Sequence, residues 1–157
     1  MAWELQLRRL HRQIGMLSRN MSTMNYLFAP ESVTKRQTIF REMSEAIGPD
    51  SRLEMFPDIV GFEARLRRFN NPEIIVILAV GKEEMPGILS LFDLIRDAAV
   101  IIMLSDEEKD TVTSAIRLRP KFLGAMDGDL EKIVPIVEKL IRTKVARELL
   151  QSINKNK

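Results

Sequence analysis

The chain has 157 residues and a mass of 18.1 kDa, enough for one compact domain and too few for two ordinary ones. With 45% apolar and 29% charged residues and a formal net charge of +2, it reads as an ordinary soluble globular protein rather than a disordered one. No Cys and a single His, His11, exclude disulfides, thiolate metal sites, a thiol nucleophile and every two-His metal motif.

Residues 2–20 read as a helix. MNYLFA, residues 24–29, is a short strand candidate closed by Pro30. Glu31 to Ile47 is predicted helical, with Ile39, Met43 and Ile47 four apart, and Gly48-Pro49 stops it. A short strand over 52–56 follows, and Asp58 is placed to cap a helix over 59–69 with the stripe Ile59, Phe62, Leu66 and Phe69. Asn70-Asn71-Pro72 is a turn. IIVILAV, residues 74–80, is a continuous run rich in β-branched residues, the mark of a strand buried on both faces. Gly81 ends it, residues 84–96 read as helical, and AAVIIML over 98–104 is a second doubly buried strand. Ser105 or Asp106 is expected to cap a helix that ends near Arg119, before Pro120. Residues 121–126 form the fifth strand, and Asp127-Gly128-Asp129 turns into a last helix over 129–152. Alternation of this kind implies a parallel sheet wound on both faces through right-handed crossovers, with the third and fourth strands at or beside its centre. Neither apolar run can span a bilayer, and Glu4, Arg8 and Arg9 break any secretory leader, so a cytoplasmic location is expected.

The first helix carries a heptad seam. Trp3, Leu7, Leu10, Ile14, Leu17, Met21 and Met24 are alternately four and three apart, flanked by the polar Glu4, Gln6, His11, Gln13, Ser18 and Asn20. So short a helix is marginal alone in water. Leu10 and Leu17 are therefore expected to be buried, against the last helix or a second chain. The last helix has its own stripe through Leu130, Ile133, Val137, Leu140, Ile141, Val145, Leu149 and Ile153. In a parallel α/β sheet the start of the first strand and the end of the last helix share an edge. Both long helices then project from one end, and a homodimer is expected. Arg8, Arg9, Arg12 and Arg19 make the first helix basic, which long side chains covering apolar surface explain. Aromatics are too scarce for a base-stacking platform, with one Trp and one Tyr, and nucleic acid is not the expected partner.

From about residue 24 to 143, element order and spacing resemble the receiver domain of bacterial response regulators. FAPESVTKRQTIFREMSEAIG resembles the receiver's first strand end and first helix, and MPG at 85–87 the Met-Pro-Gly after the phosphoacceptor strand. VIIMLS at 100–105 resembles the fourth strand ending in its switch Ser or Thr, and KFLGAM at 121–126 the fifth strand with its switch aromatic at Phe122. The resemblance implies a flavodoxin-like, doubly wound, five-stranded parallel sheet of order 2-1-3-4-5. An amphipathic helix over 1–22 would precede a receiver-like domain with an extended last helix over 23–157.

A receiver's chemistry needs two acids at the first strand end, an acceptor Asp, a Ser or Thr and a Lys. The acids hold Mg²⁺, which with the Lys neutralises charge on the transferring phosphoryl group. Here the acidic pair falls on Ala29 and Pro30, with Glu31 beside them. The acceptor falls within Ala79, Val80, Gly81 and Lys82, and the Lys becomes Ala125; only Ser105 survives. Without the Asp there is no acyl-phosphate nucleophile. The sequence therefore resembles an aspartate-less pseudo-receiver, for which no catalytic residue, metal or cofactor is expected.

Other chemistry is thin. Glu83 and Glu84 read as a solvated helix start, Asp127 and Asp129 as a turn and cap, and His11 as an exposed flank of the heptad. Glu31, Glu83, Glu84 and Asp106 are expected to be exposed and unpaired with one another. No glycine-rich phosphate loop is present. The expected function is a phosphorylation-independent interaction and dimerisation module in bacterial signalling, with an unidentified signalling protein as partner. Contacts would run through the last two helices and the fifth strand, with Phe122 and Ser105 as packing elements. The alternative is a small-ligand sensor in which Ala29, Pro30, Gly81, Ser105 and Ala125 line an uncharged crevice at the strand ends.

Overall fold

The structure, a computed structural model, describes residues 2–17, 23–69 and 71–155, without the side chains of 10–17. Five strands, β1 Thr23–Phe28, β2 Ser51–Phe56, β3 Ile74–Val80, β4 Ala99–Leu104 and β5 Phe122–Ala125, form one sheet. Its order is β2-β1-β3-β4-β5 and every pairing is parallel, so the expected topology is met. The two continuous apolar runs became β3 at the centre and β4 beside it. Side chains of neighbouring residues point to opposite faces, and each face has its own core. Tyr26, Phe28, Ile75, Ile77 and Ile102 pack on Phe62 and Leu66. Leu27, Val76, Leu78 and Ile101 pack on Met43, Ile133 and Val137. Buried Asn25 joins three strands: its Nδ2 donates to the Arg52 carbonyl and its Oδ1 accepts from the Ile74 amide, both at 3.2 Å. No polar group of that side chain is left to be hidden from water unpaired.

The covering helices are shorter than periodicity predicts. The second, α2, spans Arg36–Ile47, not Glu31–Ile47. Residues 31–35 instead form turns in which Val33 donates to the Pro30 carbonyl and Arg36 to that of Val33. Buried Val33 anchors these turns, and its neighbours Ser32 and Thr34 are weak in helix interiors. The third, α3, is Ile59–Arg68, and Asp58 caps it as expected, accepting from the Gly61 amide at 2.8 Å. Phe62 and Leu66 of its stripe are buried, but Phe69 is exposed, with the Arg65 guanidinium over its ring.

The single helix predicted over 84–96 is two short ones, α4 Met85–Leu89 and α5 Phe92–Ile95. The Ser90 hydroxyl bonds the Gly87 carbonyl at the break, and fully buried Leu91 draws the chain inward. The next helix, α6, is Lys109–Ile116; neither Ser105 nor Asp106 is its N-cap, which is Glu108 with no side-chain hydrogen bond. After β5, Met126–Asp129 (α7) is interrupted at Asp127 and at Gly128, whose φ of 103° favours glycine. A 3₁₀ turn over Leu130–Lys132 follows, and the last helix proper, α8, is Ile133–Lys155.

The first helix, α1, is Ala2–Leu17. Met24 is not on its seam: it belongs to β1 and is buried in the core. Trp3 is 61% exposed and Leu7 44%, so this end of the seam does not lie on its own domain. The expected burial of Leu10 and Leu17, the places of the His11 and Ile14 side chains, and the Met21 and Asn70 positions lie outside the described residues. At the amino edge of the sheet Lys144 of α8 pairs with Glu73, just before β3. The helix then runs on to Lys155, leaving Leu150 62% and Ile153 56% exposed.

Candidate functional site

The carboxyl ends of β1, β3, β4 and β5 gather at one edge, where open α/β sheets bind ligands. At the end of β1, Ala29 is buried and its amide donates to the Phe56 carbonyl at 2.9 Å. Half-buried Pro30 turns the chain and Glu31 stands in solvent. At the end of β3 the register to β4 shifts between Ile77 and Val80, and Ala79 takes a φ of 59°. That left-handed conformation is uncommon for a residue with a Cβ and is found where backbone is re-aimed. It leaves Ala79 half-buried at the edge while Val80 turns into the core.

Beyond β3 the Gly81-Lys82 turn is tied down by two carboxylates. Glu84 Oε2 accepts from the Gly81 amide at 3.0 Å, and Asp106 Oδ2 from the Lys82 amide at 3.1 Å. A Cβ on Gly81 would stand 2.5 Å from the Ser105 hydroxyl and 3.1 Å from each of those carboxylate oxygens, so a side chain there would push these groups out of their present positions. Glu31, Glu83 and Glu84 are exposed and Asp106 is partly so; none hydrogen-bonds another, although Glu84 and Asp106 converge on one turn. Lys82 itself is exposed. Asp106 is held below the usual carboxylate range, first by the Thr111 hydroxyl facing it outside ordinary hydrogen-bond geometry, then by the amides of Glu108 and Lys82.

At the end of β5, buried Ala125 donates its amide to Asp129 Oδ2 at 2.9 Å. Lys132 pairs with the same carboxylate at 2.8 Å, and with the Ala125 amide it lowers the Asp129 pKa. Asp129 thus has the turn-closing role expected of it. Phe122 packs half-buried on the second core layer, near enough that a Cβ on Gly124 would meet its ring at 2.8 Å. Ser105 is exposed rather than packed, which corrects its expected role. Its hydroxyl lies beside Gly81, at the open end of the strand rather than under a covering helix.

An open cavity of about 360 Å³ lies at this edge, lined by Ser32, Val33, Thr34, Lys35, Ala79, Ser105, Met126, Asp127 and Leu130. Of the uncharged lining expected from sequence, only Ser105 is there. Ala29 and Ala125 are buried behind it, Gly81 sits under its carboxylates, and the turn before α2 brings in Lys35 while the turn after β5 brings in Asp127. The predicted helix over 31–47 hid the wall from Ser32 to Lys35, while Asp127 was read as a turn residue without its place on the cavity. The Pro30 and Gly128 breaks were the available signals. Among the described residues no group of three or more His, Asp or Glu is placed to hold a metal ion.

No protein-family model and no curated protein matches the chain. Solved structures do match in fold. A CheY-like receiver domain from Methanospirillum hungatei superposes with a TM-score of 0.61 at 11% identity, covering 81% of this chain and 99% of that one. A response regulator from Thermotoga maritima gives 0.56 at 14% identity, over 76% and 98% of the two chains. A pilus assembly protein from Burkholderia thailandensis gives 0.57 at 16% identity, over 76% and 99%. At these identities the likeness is one of fold. The sheet of order 2-1-3-4-5 with its flanking helices is the receiver fold.

Proposed function

We propose that this chain is a pseudo-receiver: a signalling module that acts through protein contact, as a homodimer, without being phosphorylated. The observation that carries the reading is the composition of the carboxyl edge. By the resemblance, Ala29 and Pro30 stand where receiver chemistry needs two acids, a residue within Ala79 to Lys82 where it needs the acceptor Asp, and Ala125 where it needs a Lys. Three of the acids nearby have other duties: Glu84 and Asp106 hold the Gly81-Lys82 turn and Asp129 the end of β5. A hard cation needs free carboxylate oxygens and phosphoryl transfer an unencumbered nucleophile. A receiver fold alone does not select an output, for it occurs in a pilus assembly protein as well as in DNA-binding response regulators. Its use here therefore rests on surfaces.

The test is exposure of the full chain to acetyl phosphate and Mg²⁺ followed by intact-mass measurement. The expected spectrum is unchanged; an acid-labile gain of one phosphate would overturn the reading. A second reading is favoured by the cavity itself. A small polar ligand seated between Lys35, Ser105 and Asp127 would make the domain a sensor, and ordered density there after crystallisation from native extract would support it.

A further inference from the structure

The apolar face of α1 has nothing over it at its described end, where Trp3 and Leu7 are exposed. Its heptad register is fixed by sequence: Leu7 and Ile14 occupy a positions, and Trp3, Leu10 and Leu17 occupy d positions. The charges are sorted by that register. Arg8, Arg9 and Arg12 fall on the outer b, c and f positions. The flanking e and g positions within the helix are Glu4, Gln6, His11 and Gln13, so the seam is bordered by one fixed charge. Partner choice in coiled coils is set by complementary charges at e and g. With so little charge there, the helix presents nothing to match a differently charged partner and nothing to repel its own copy.

We propose that α1 is one strand of a parallel, two-stranded coiled coil formed with a second copy of this chain. The proposal rests on the contact-module reading and names its partner and geometry. β-Branched Ile14 at a with Leu at d is the combination that favours two parallel strands. Topology points the same way. The first strand begins at the amino edge, and α8 runs past Glu73 at that edge with Leu150 and Ile153 bare. A parallel pairing sets both sheets at one end of the coil and gives the two α8 ends apolar surface to share. An antiparallel pairing would part the sheets by the length of α1, about 24 Å for sixteen residues at 1.5 Å each. In the parallel form both carboxyl edges, with their cavities, face away from the contact.

The chain has no Cys, so a single introduced thiol reports without background. Sedimentation of the full chain between about 1 and 100 μM is expected to show a dimer, and Ile14→Asp to raise its Kd by at least about tenfold. The melting temperature of the dilute domain should not move with that substitution. A chain that stays monomeric, or a dimer indifferent to Ile14→Asp, would overturn the proposal, the latter placing the contact on another face. Trp3→Cys should cross-link to itself under mild oxidation, because a parallel coil sets the two thiols side by side. In an antiparallel coil they would stand about 20 Å apart. Disulfides formed only in a mixture of Trp3→Cys with Leu17→Cys would overturn the parallel arrangement. A chain that takes up phosphate and still forms the coil defeats only the phosphorylation-independent reading, so the two failures are separable.

Discussion

At the carboxyl edge of the sheet, Glu84, Asp106 and Asp129 each turn back to accept a backbone amide. At the amino edge, α8 runs on from Lys144 to Lys155 with Leu150 and Ile153 in solvent, and Trp3 and Leu7 of α1 are equally bare. One edge closes its polar groups locally and the other leaves apolar surface unspent. A buried or bound amide has to be satisfied somewhere, and here the protein does so with its own acids. Apolar area left on a helix end has no such local remedy and is removed from water only by another surface. The contrast is between an edge whose acids hold its own backbone and an edge whose apolar side chains face water.

The largest effect expected from breaking this contrast is at Gly81. Gly81→Val forces a side chain into the space of the Ser105 hydroxyl and both carboxylates, and should cost about 1–3 kcal/mol in a denaturant melt. An unchanged midpoint would mean that the edge is looser than its hydrogen bonds imply. Next is the strained residue on the cavity wall. Ala79→Gly removes the Cβ penalty at a φ of 59° and should stabilise the chain by about 1 kcal/mol or less. A loss of stability at that position would show that the alanine methyl is packed. At the amino edge the same kind of measurement should find almost nothing. Leu150→Ser and Ile153→Ser are expected to shift the melt of the dilute protein by no more than about 0.5 kcal/mol, because neither side chain is covered there.

The smallest effect separates the edges by pH. Asp106 and Asp129 have lowered pKa values in the fold, the first mainly through Thr111 and the second through Lys132. Each therefore favours folding above the unfolded carboxylate value and stops doing so as pH falls through its own lower value. Stability should decline between about pH 5 and pH 2. The double variant Asp106→Asn with Asp129→Asn should flatten that slope; an unaltered slope would assign acid sensitivity to other carboxylates.

The strands were legible because each signal is local. IIVILAV and the run ending in Leu104 are apolar without alternation, and only burial on both faces suits such a run in a parallel sheet. Asp58 was legible as a cap because one carboxylate three residues before an amide suffices. Helix starts were less so. Ser32 to Lys35 fit a helical period yet form turns, anchored by buried Val33, and the last helix, expected from residue 129, begins as a 3₁₀ turn over Leu130–Lys132. The cavity takes four of its lining residues from the turns over 32–35, so that wall was lost with the helix start.

By itself the sequence determined the order of the elements, the two core strands and the heptad spacing of α1. These follow from residue type and spacing, which need no partner to be read. Tertiary structure alone decided that Ser105 faces a cavity, that Lys35 and Asp127 charge its walls, and that Glu84 and Asp106 meet over Gly81. Lys35, Ser105 and Asp127, like Asp106 and Lys82, are far apart in the chain and come together only when β1, β3, β4 and β5 pair. The conformation of each then depends on hydrogen bonds whose partners no local pattern names.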